Sequence, residues 1–295
     1  VSAIRIRDRL PFYHNLRHFY HWLKHRDARS ELRDAKSRLL KSSDTSVEDI
    51  ERLQAVSMKL HHADSMFVKG SAFSYLGVGL SAARVIQRAL EQRPQPSEIR
   101  SILDLPCGYG RVMRFLRVMF PNADITAAEI DKEGVAFCQG SFAARPFFST
   151  ADFGSLSIDR KFDLIWCGSL ITHITEHDCL QLLRFFHDHL TEQGVCIFTT
   201  HGTLSADWVK SKRTTYALPE EALESLIEEY ESIGYGYVDY PGYPGYGISI
   251  TAPERIRELA RDAGNWQEIL FEEHGWDNHQ DVFAIAASRG ESRSP

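Results

Sequence analysis

Chemistry-capable spacing in this 295-residue chain starts at Ile102-Leu103-Asp104-Leu105-Pro106-Cys107-Gly108-Tyr109-Gly110-Arg111, an apolar run that ends in a Gly-x-Gly turn. Gly108 and Gly110 permit a tight turn and let a ligand approach the backbone, while amides at the start of a following helix favour a carboxylate or phosphate. Two ligand classes want such a turn: dinucleotides and S-adenosylmethionine. A dinucleotide fingerprint needs a third glycine three residues on, for close packing of helix on strand, and Met113 stands there. The dinucleotide reading weakens accordingly. Glu129 follows 19 residues after Gly110, at the spacing from which a carboxylate reaches both hydroxyls of an adenosine ribose. Its acceptor-only oxygens suit a diol. Further on, Thr172-His173 and Thr200-His201-Gly202 place imidazoles, which titrate near neutrality, after two more apolar runs.

These residues need a scaffold that brings them to one rim. From Ile99 onward short apolar runs alternate with helical patterns, the signature of a parallel sheet wound by crossover connections. The predicted strands are Ser101–Pro106, Asp124–Ile130, Pro146–Ser149, Phe162–Cys167 and Val195–Thr200. A helix at Pro253–Ala263 and a terminal hairpin, Trp266–Glu273 with Asp281–Ala287, complete the plan. Open α/β sheets bind ligands at the C-terminal ends of their strands, where every candidate falls. Before this domain the texture is helical, around residues 31–41, 46–61 and 80–90, and Arg93-Pro94-Gln95-Pro96 reads as a boundary. The expected organisation is a helical basic arm and cap over 1–95, then a catalytic domain over 96–290 with a mostly helical insertion at 203–240.

The segment D-x-x-C-G-x-G, Asp104 to Gly110, resembles motif I of class I S-adenosylmethionine-dependent methyltransferases, and five strands in βα alternation plus a final hairpin are similar to that family's sheet plan. The resemblance implies a Rossmann-like α/β fold, a mostly parallel sheet with a terminal antiparallel hairpin, here behind an N-terminal helical extension. It implies that the turn of Pro106, Cys107, Gly108 and Gly110 holds the methionine end of the cofactor, with Asp104 near the amino group. Glu129, with Ile130 beside it, would hold the ribose; Asp152 would accept the adenine amino group while Phe153 covers the ring. The stretch Cys167-Gly168-Ser169-Leu170-Ile171-Thr172-His173-Ile174 is similar to the family's S-x-x-T-H-[LI] segment, which faces the methyl end and brings in Ser169. His173 and His201 are then the candidate bases, against the alternative that each merely fixes a loop by hydrogen bonding. S-adenosylhomocysteine would be the product.

Two later segments point to the acceptor. Tyr240-Pro241-Gly242-Tyr243-Pro244-Gly245-Tyr246-Gly247 reads as an aromatic, turn-rich stretch, and Gly275-Trp276-Asp277-Asn278-His279-Gln280-Asp281 joins the last two strands. Tyr243, Tyr246, Trp276, Asn278 and His279 are the expected acceptor contacts, because aromatic faces beside amide and carboxylate groups suit a sugar ring. Tyr, Pro and Gly turns are also ordinary loop chemistry. The run Tyr246–Pro253 followed by G-W-D-N-H-Q-D-V resembles bacterial methyltransferases found with glycosyltransferases in glycan assembly. That implies O-methylation of a saccharide or glycan intermediate, with O- or N-methylation of a small natural product as the alternative. A non-catalytic S-adenosylmethionine-binding module is the rival class. The 203–240 insertion would form a lid over the acceptor and carry specificity.

Charge is unevenly placed. The chain is −6 overall, from 34 Lys/Arg against 40 Asp/Glu, yet residues 1–41 hold 11 basic and 4 acidic side chains. An acidic body opposes nucleic-acid binding. The arm's apolar stripe of Phe12, Leu16, Phe19 and Leu23, with Tyr13, Tyr20 and Trp22, suits either an anionic membrane surface or packing on the catalytic domain or a second copy in a homodimer. The five cysteines form no C-x-x-C pair, which fits a reducing cytoplasm, and no run reaches the roughly 18 apolar residues of a membrane span. The expected protein is neither integral nor secreted. No histidine or cysteine spacing suggests a metal site.

Overall fold

The computed structural model describes residues 28–93 and 97–287. The amphipathic stripe from Phe12 to Leu23 therefore lies outside the described residues. The chain divides into two compact units, 1–77 and 78–295. The first holds helix α1 (28–39) and α2 (Val47–Ala55), the latter capped by Ser46, whose hydroxyl accepts from the Asp49 amide at 3.2 Å. Leu32, Ala35 and Leu53 are buried here, and the Tyr75 hydroxyl donates to buried Asp64 at 2.6 Å.

The division falls inside α3 (Ala72–Glu91) rather than at the Arg93–Pro96 segment that the sequence suggests. The reason lies in the helix's apolar face. Val78, Ala82, Val85, Ile86 and Ala89 recur at three- and four-residue steps and are buried in the same core as Ile102, Ile125 and Leu164 of the sheet.

The second unit continues with β1 (Ser101–Asp104), α4 (Met113–Met119), β2 (Asp124–Glu129), α5 (Lys132–Phe142), β3 (Arg145–Phe148), β4 (Phe162–Cys167), α6 (Glu176–His189) and β5 (Leu190–Thr200). Next come α7 (Thr203–Lys210), α8 (Glu220–Ile233), β6 (Tyr235–Tyr240), β7 (Tyr243–Thr251), α9 (Pro253–Ala263), β8 (Trp266–Trp276) and β9 (Gln280–Ala287). Seven strands form one sheet in the order β3-β2-β1-β4-β5-β9-β8, with β1 to β5 parallel and β9 antiparallel to both neighbours. This is the expected α/β architecture. The central strands are buried on both faces, which is why they read as unbroken apolar runs. Ile102, Leu164, Trp166 and Ile197 face one core, while Leu103, Ile165, Cys196 and Phe198 face the other, as the two-residue period of a strand requires. Strand order reverses between β1 and β4, so a crevice opens at their C-terminal ends.

The insertion differs from its expected form. Helices α7 and α8 are followed by a two-stranded antiparallel sheet, β6 with β7, so the added element runs to Thr251 and the Tyr240–Gly247 stretch is a hairpin. Ile248 and Ile250 alternate inward onto Ala206, Val209, Leu218 and Leu226, giving the insertion a core of its own. Gly236 allows β6 to approach α8, where any side chain would strike the Leu226 carbonyl. The β8–β9 turn is explained by Asp277 and Asn278, both left-handed at φ 54° and 52°, with the His279 amide closing onto Trp276 O at 3.1 Å. That is a type I′ hairpin turn. Among the described residues no helix is long and apolar enough to cross a membrane.

Candidate active site

The first strand feeds directly into the glycine turn. Beyond Asp104 the chain keeps pairing on both sides, Leu105 N–H to Trp166 O at 3.0 Å and Cys107 N–H to Ala128 O at 2.9 Å. Gly108 and Gly110 then adopt φ 49° and 77°, conformations that disfavour side chains. A β-carbon at Gly108 would meet nothing within 4 Å, so this turn faces open space, whereas one at Gly110 would strike the Phe142 ring. The Glu129 carboxylate lies across the turn, accepting from Gly108 N–H at 3.1 Å and Ile130 N–H at 2.8 Å. With Asp131 N–H a third donor at 3.4 Å, main-chain amides thus aim a half-exposed carboxylate at the mouth of the crevice. Ile130, 60% exposed, stands next to it, and Asp152 lies exposed ahead of a short 3₁₀ turn at Phe153–Ser155. Phe153 itself is buried in the core beside Leu103.

Asp104 supplies the sharpest test of which ligand fits. It is buried, its Oδ2 has no hydrogen-bond partner, and burial, with the Glu129 charge adding, holds its carboxyl well above the ordinary carboxylate value. An orphaned buried acceptor is costly unless a donor or cation joins it. An α-ammonium group answers that need, the Gly108 turn leaves room for the chain that carries it, and Glu129 offers acceptors for a diol. The residues present therefore fit S-adenosylmethionine.

After β4, four polar side chains knit the rim. Ser169, at φ 60°, donates its amide to Thr199 Oγ1 at 2.8 Å, its hydroxyl lies 3.2 Å from that of Thr172, and it accepts from Gln280 Nε2 at 2.9 Å. Thr199 in turn donates to Gln280 Oε1 at 2.6 Å. The loop after β4 is thereby tied to β5 and β9. Thr199 and Gln280 escape a reading of the sequence because nothing in spacing marks a strand residue as paired across a sheet.

The two candidate bases come together over this network, ring centroids 6.5 Å apart. His173 Nδ1 lies 2.7 Å from Gly247 O and His201 Nδ1 lies 3.3 Å from Ser249 O. A carbonyl can only accept, so both Nδ1 atoms carry the proton and both neutral rings keep a lone pair on Nε2. Burial lowers the pKa of each. For His201 the fall is from 6.5 to about 3, with the charges of His279 and His173 adding to burial. His173 is lowered by burial while the Gly247 bond pulls the other way. His173 is thus the better proton acceptor of the two.

Aromatic rings surround the pair. Tyr246 stacks on His173 at 5.0 Å and Tyr216 on His201 at 5.1 Å. His279 lies 5.0 Å from His201, stacks on Trp208 at 4.6 Å, and places Nε2 3.1 Å from the Tyr216 hydroxyl and 3.3 Å from that of Ser205. Tyr240 sits 6.1 Å from His173. Of the expected acceptor contacts, His279 and Tyr246 join this cluster and Tyr243 is 65% exposed at the hairpin turn. Trp276 and Asn278 serve other ends. Trp276 is buried edge-on against Trp166 with its N–H donated to Val78 O at 3.0 Å, and Asn278 provides the left-handed turn. Tyr216 and Trp208 are two further residues that sequence reasoning missed, since each stands in the insertion without a motif.

Comparison with known proteins bears on the same crevice. Residues 102–194 match a family model described as a methyltransferase domain. The chain is 26% identical over 161 residues to a malonyl-[acyl-carrier protein] O-methyltransferase of Bacillus anthracis, covering 54% of this chain and 57% of that protein. With the corresponding enzyme of Bacillus cytotoxicus it shares 29% over 129 residues, 43% and 45% of the two chains. The match thus spans about half the length of these relatives. Among solved structures, DesVI of Streptomyces venezuelae superposes with a TM-score of 0.52 at 14% identity, covering 78% of this chain and all of that one. An S-adenosylmethionine-dependent methyltransferase from Clostridium acetobutylicum gives 0.50 at 16%, covering 72% and 92%. The fold is that of the S-adenosylmethionine-dependent methyltransferases.

Proposed function

We propose that the protein transfers a methyl group from S-adenosylmethionine to an acceptor hydroxyl, with His173 as general base and a saccharide as the acceptor. The observation that carries this reading is the fixed tautomer of His173, whose Nδ1–H is committed to Gly247 O. An alcohol must lose a proton as it is methylated, and a neutral imidazole with its lone pair on Nε2 is the group to take it. S-adenosylmethionine supplies an electrophilic methyl group on a sulfonium when bound. Asp104 holds the ammonium end, Glu129 the ribose, and the Gly108–Gly110 turn admits the ligand's chain. Ser169, Thr172, Thr199 and Gln280 keep the β4 loop in place so that His173 meets the acceptor at a set angle.

The O-methyltransferase relatives support oxygen as the acceptor atom. The saccharide assignment draws on Tyr240, Tyr243 and Tyr246, whose ring faces and hydroxyl edges together suit the C–H face and hydroxyls of a sugar. It also draws on the likeness of the Tyr246–Pro253 segment to methyltransferases of glycan assembly.

The first test is calorimetric titration with S-adenosylhomocysteine of the wild type, Gly108→Arg and Glu129→Ala. Binding that both variants lose supports the cofactor assignment; a folded wild type that binds nothing overturns it. A panel of saccharides, free and glycosylated, then checks methyl transfer. Retention of full kcat by His173→Gln on the best acceptor would mean that no proton is removed there, as for a carboxylate acceptor.

A further inference from the structure

The first unit carries an apolar loop that the methyl-transfer reading leaves unused. Between α2 and α3, Met66 and Val68 are 56% and 63% exposed, and Phe73, in the first turn of α3, is 40% exposed. A single exposed apolar side chain is ordinary, but three within eight residues make a patch. These side chains are held outward by the loop's own hydrogen bonds. Buried Asp64 accepts from Met66 N–H at 3.0 Å and from the Tyr75 hydroxyl at 2.6 Å, and its carbonyl accepts from Phe67 N–H at 3.2 Å. Phe67 packs edge-on against Tyr75, ring centroids 5.5 Å apart. Ser71 Oγ accepts from Val68 N–H at 3.0 Å and donates to Val68 O at 2.6 Å, with Gly70 left-handed at φ 90° between them. Met66 and Val68 cannot fold inward without breaking these bonds.

Charge and extent say what would cover the patch. Lys69 stands exposed beside Val68, and exposed Arg38 of α1 lies over the Phe73 ring at 4.6 Å; neither makes an ion pair among the described residues. The carboxylates at the loop's base are engaged inward, Asp64 as above and Glu31 by accepting from Ala72 N–H at 3.2 Å. The patch therefore joins apolar side chains to two cations. Three partly exposed side chains of this size offer roughly 300 Å², whereas a stable protein partner covers about 800 Å² on each side. A bilayer sets no such minimum. It admits apolar side chains one at a time, while lysine and arginine heads stay among the lipid headgroups.

We infer that the 64–71 loop and the start of α3 are a contact for an anionic lipid bilayer. Met66, Val68 and Phe73 enter the boundary between headgroups and acyl chains, and Lys69 and Arg38 meet the negative headgroups. The contact is shallow and reversible, since it rests on a few side chains and spans nothing.

The test is flotation of the full chain with vesicles of phosphatidylcholine alone and of phosphatidylcholine mixed with phosphatidylglycerol. Partition onto the mixed vesicles should exceed that onto phosphatidylcholine by about tenfold, the effect of two surface cations, and should fall in about 0.5 M salt. Met66→Ser with Val68→Ser should lower partition about tenfold on both lipids, because apolar burial is lost. Lys69→Glu should lower it on the mixed vesicles alone. All three substituted side chains are exposed, so the melting temperatures should match the wild type and keep the comparison among folded proteins. No flotation of the wild type, equal flotation on both lipids, or binding that survives the serine pair overturns the inference. So does a dimer in sedimentation velocity that the serine pair dissociates, which would give the patch to a second copy.

Discussion

Asp104, proposed to meet the ammonium group of the ligand, is destabilising for the protein without it. Its raised carboxyl pKa means that the fold binds a proton more readily than the unfolded chain does, so its contribution is present below the ordinary value of 3.8 and is lost as pH rises through the raised value. Asp104→Asn should accordingly raise the Tm of the ligand-free protein at pH 7.5 while weakening S-adenosylhomocysteine tenfold or more; calorimetry and thermal melts read both. A variant that lowers Tm would show the orphaned oxygen to be engaged in the fold. His173 makes a different demand. Replacing it with Gln should reduce kcat by about 10²–10⁴-fold, the usual range for general-base removal, with S-adenosylhomocysteine affinity unchanged. Because burial lowers His173, the acid limb of the kcat profile should fall below 6.5, the ordinary imidazole value.

At the scale of elements, the strands were legible because each central one carries apolar residues toward both cores, and Phe162–Cys167 and Pro253–Ala263 agree with the sequence reading to the residue. The hairpin β6–β7 was not. Its Pro, Gly and Tyr content reads locally as turn, and only the burial of Ile248 and Ile250 on α7 and α8 makes it a strand. The crevice proposed for the cofactor was legible because its candidate residues sit one per strand end, at spacings that a βα repeat imposes. The aromatic cluster was only half legible, since Tyr216 and Trp208 meet the histidines, and Gln280 meets Ser169 and Thr199, through tertiary packing that no spacing records. Gly202, which opens α7, tests how tightly these elements close. A β-carbon there would collide with the Asp281 carboxylate, itself accepting from the His274 amide at 2.9 Å. Gly202→Ala should therefore destabilise by about 1–3 kcal/mol, as overpacking does, measurable by urea unfolding.

For the molecule as a whole, the buried histidines set the response to acid. The unfolded chain protonates His201 near 6.5 and the fold resists until about 3, so the unfolded state binds the extra proton in that window and stability falls as pH falls through it. One such proton gives a slope of about 1.4 kcal/mol per pH unit. His201→Asn, whose amide still donates to the Ser249 carbonyl, should flatten the unfolding free energy between pH 6 and 4 by up to that amount per unit. Equal slopes in wild type and variant would mean that His201 charges freely in the fold.

Gly247 and Ser249 grip the two histidines with main-chain oxygens, and a main chain is indifferent to which side chains it bears. The tyrosines on the same ribbon can therefore be exchanged, one for another or for something smaller, without the base losing its orientation. Descendants of this chain could change customers while keeping their tools, and divergence among them should collect at 240, 243 and 246 long before it reaches 173.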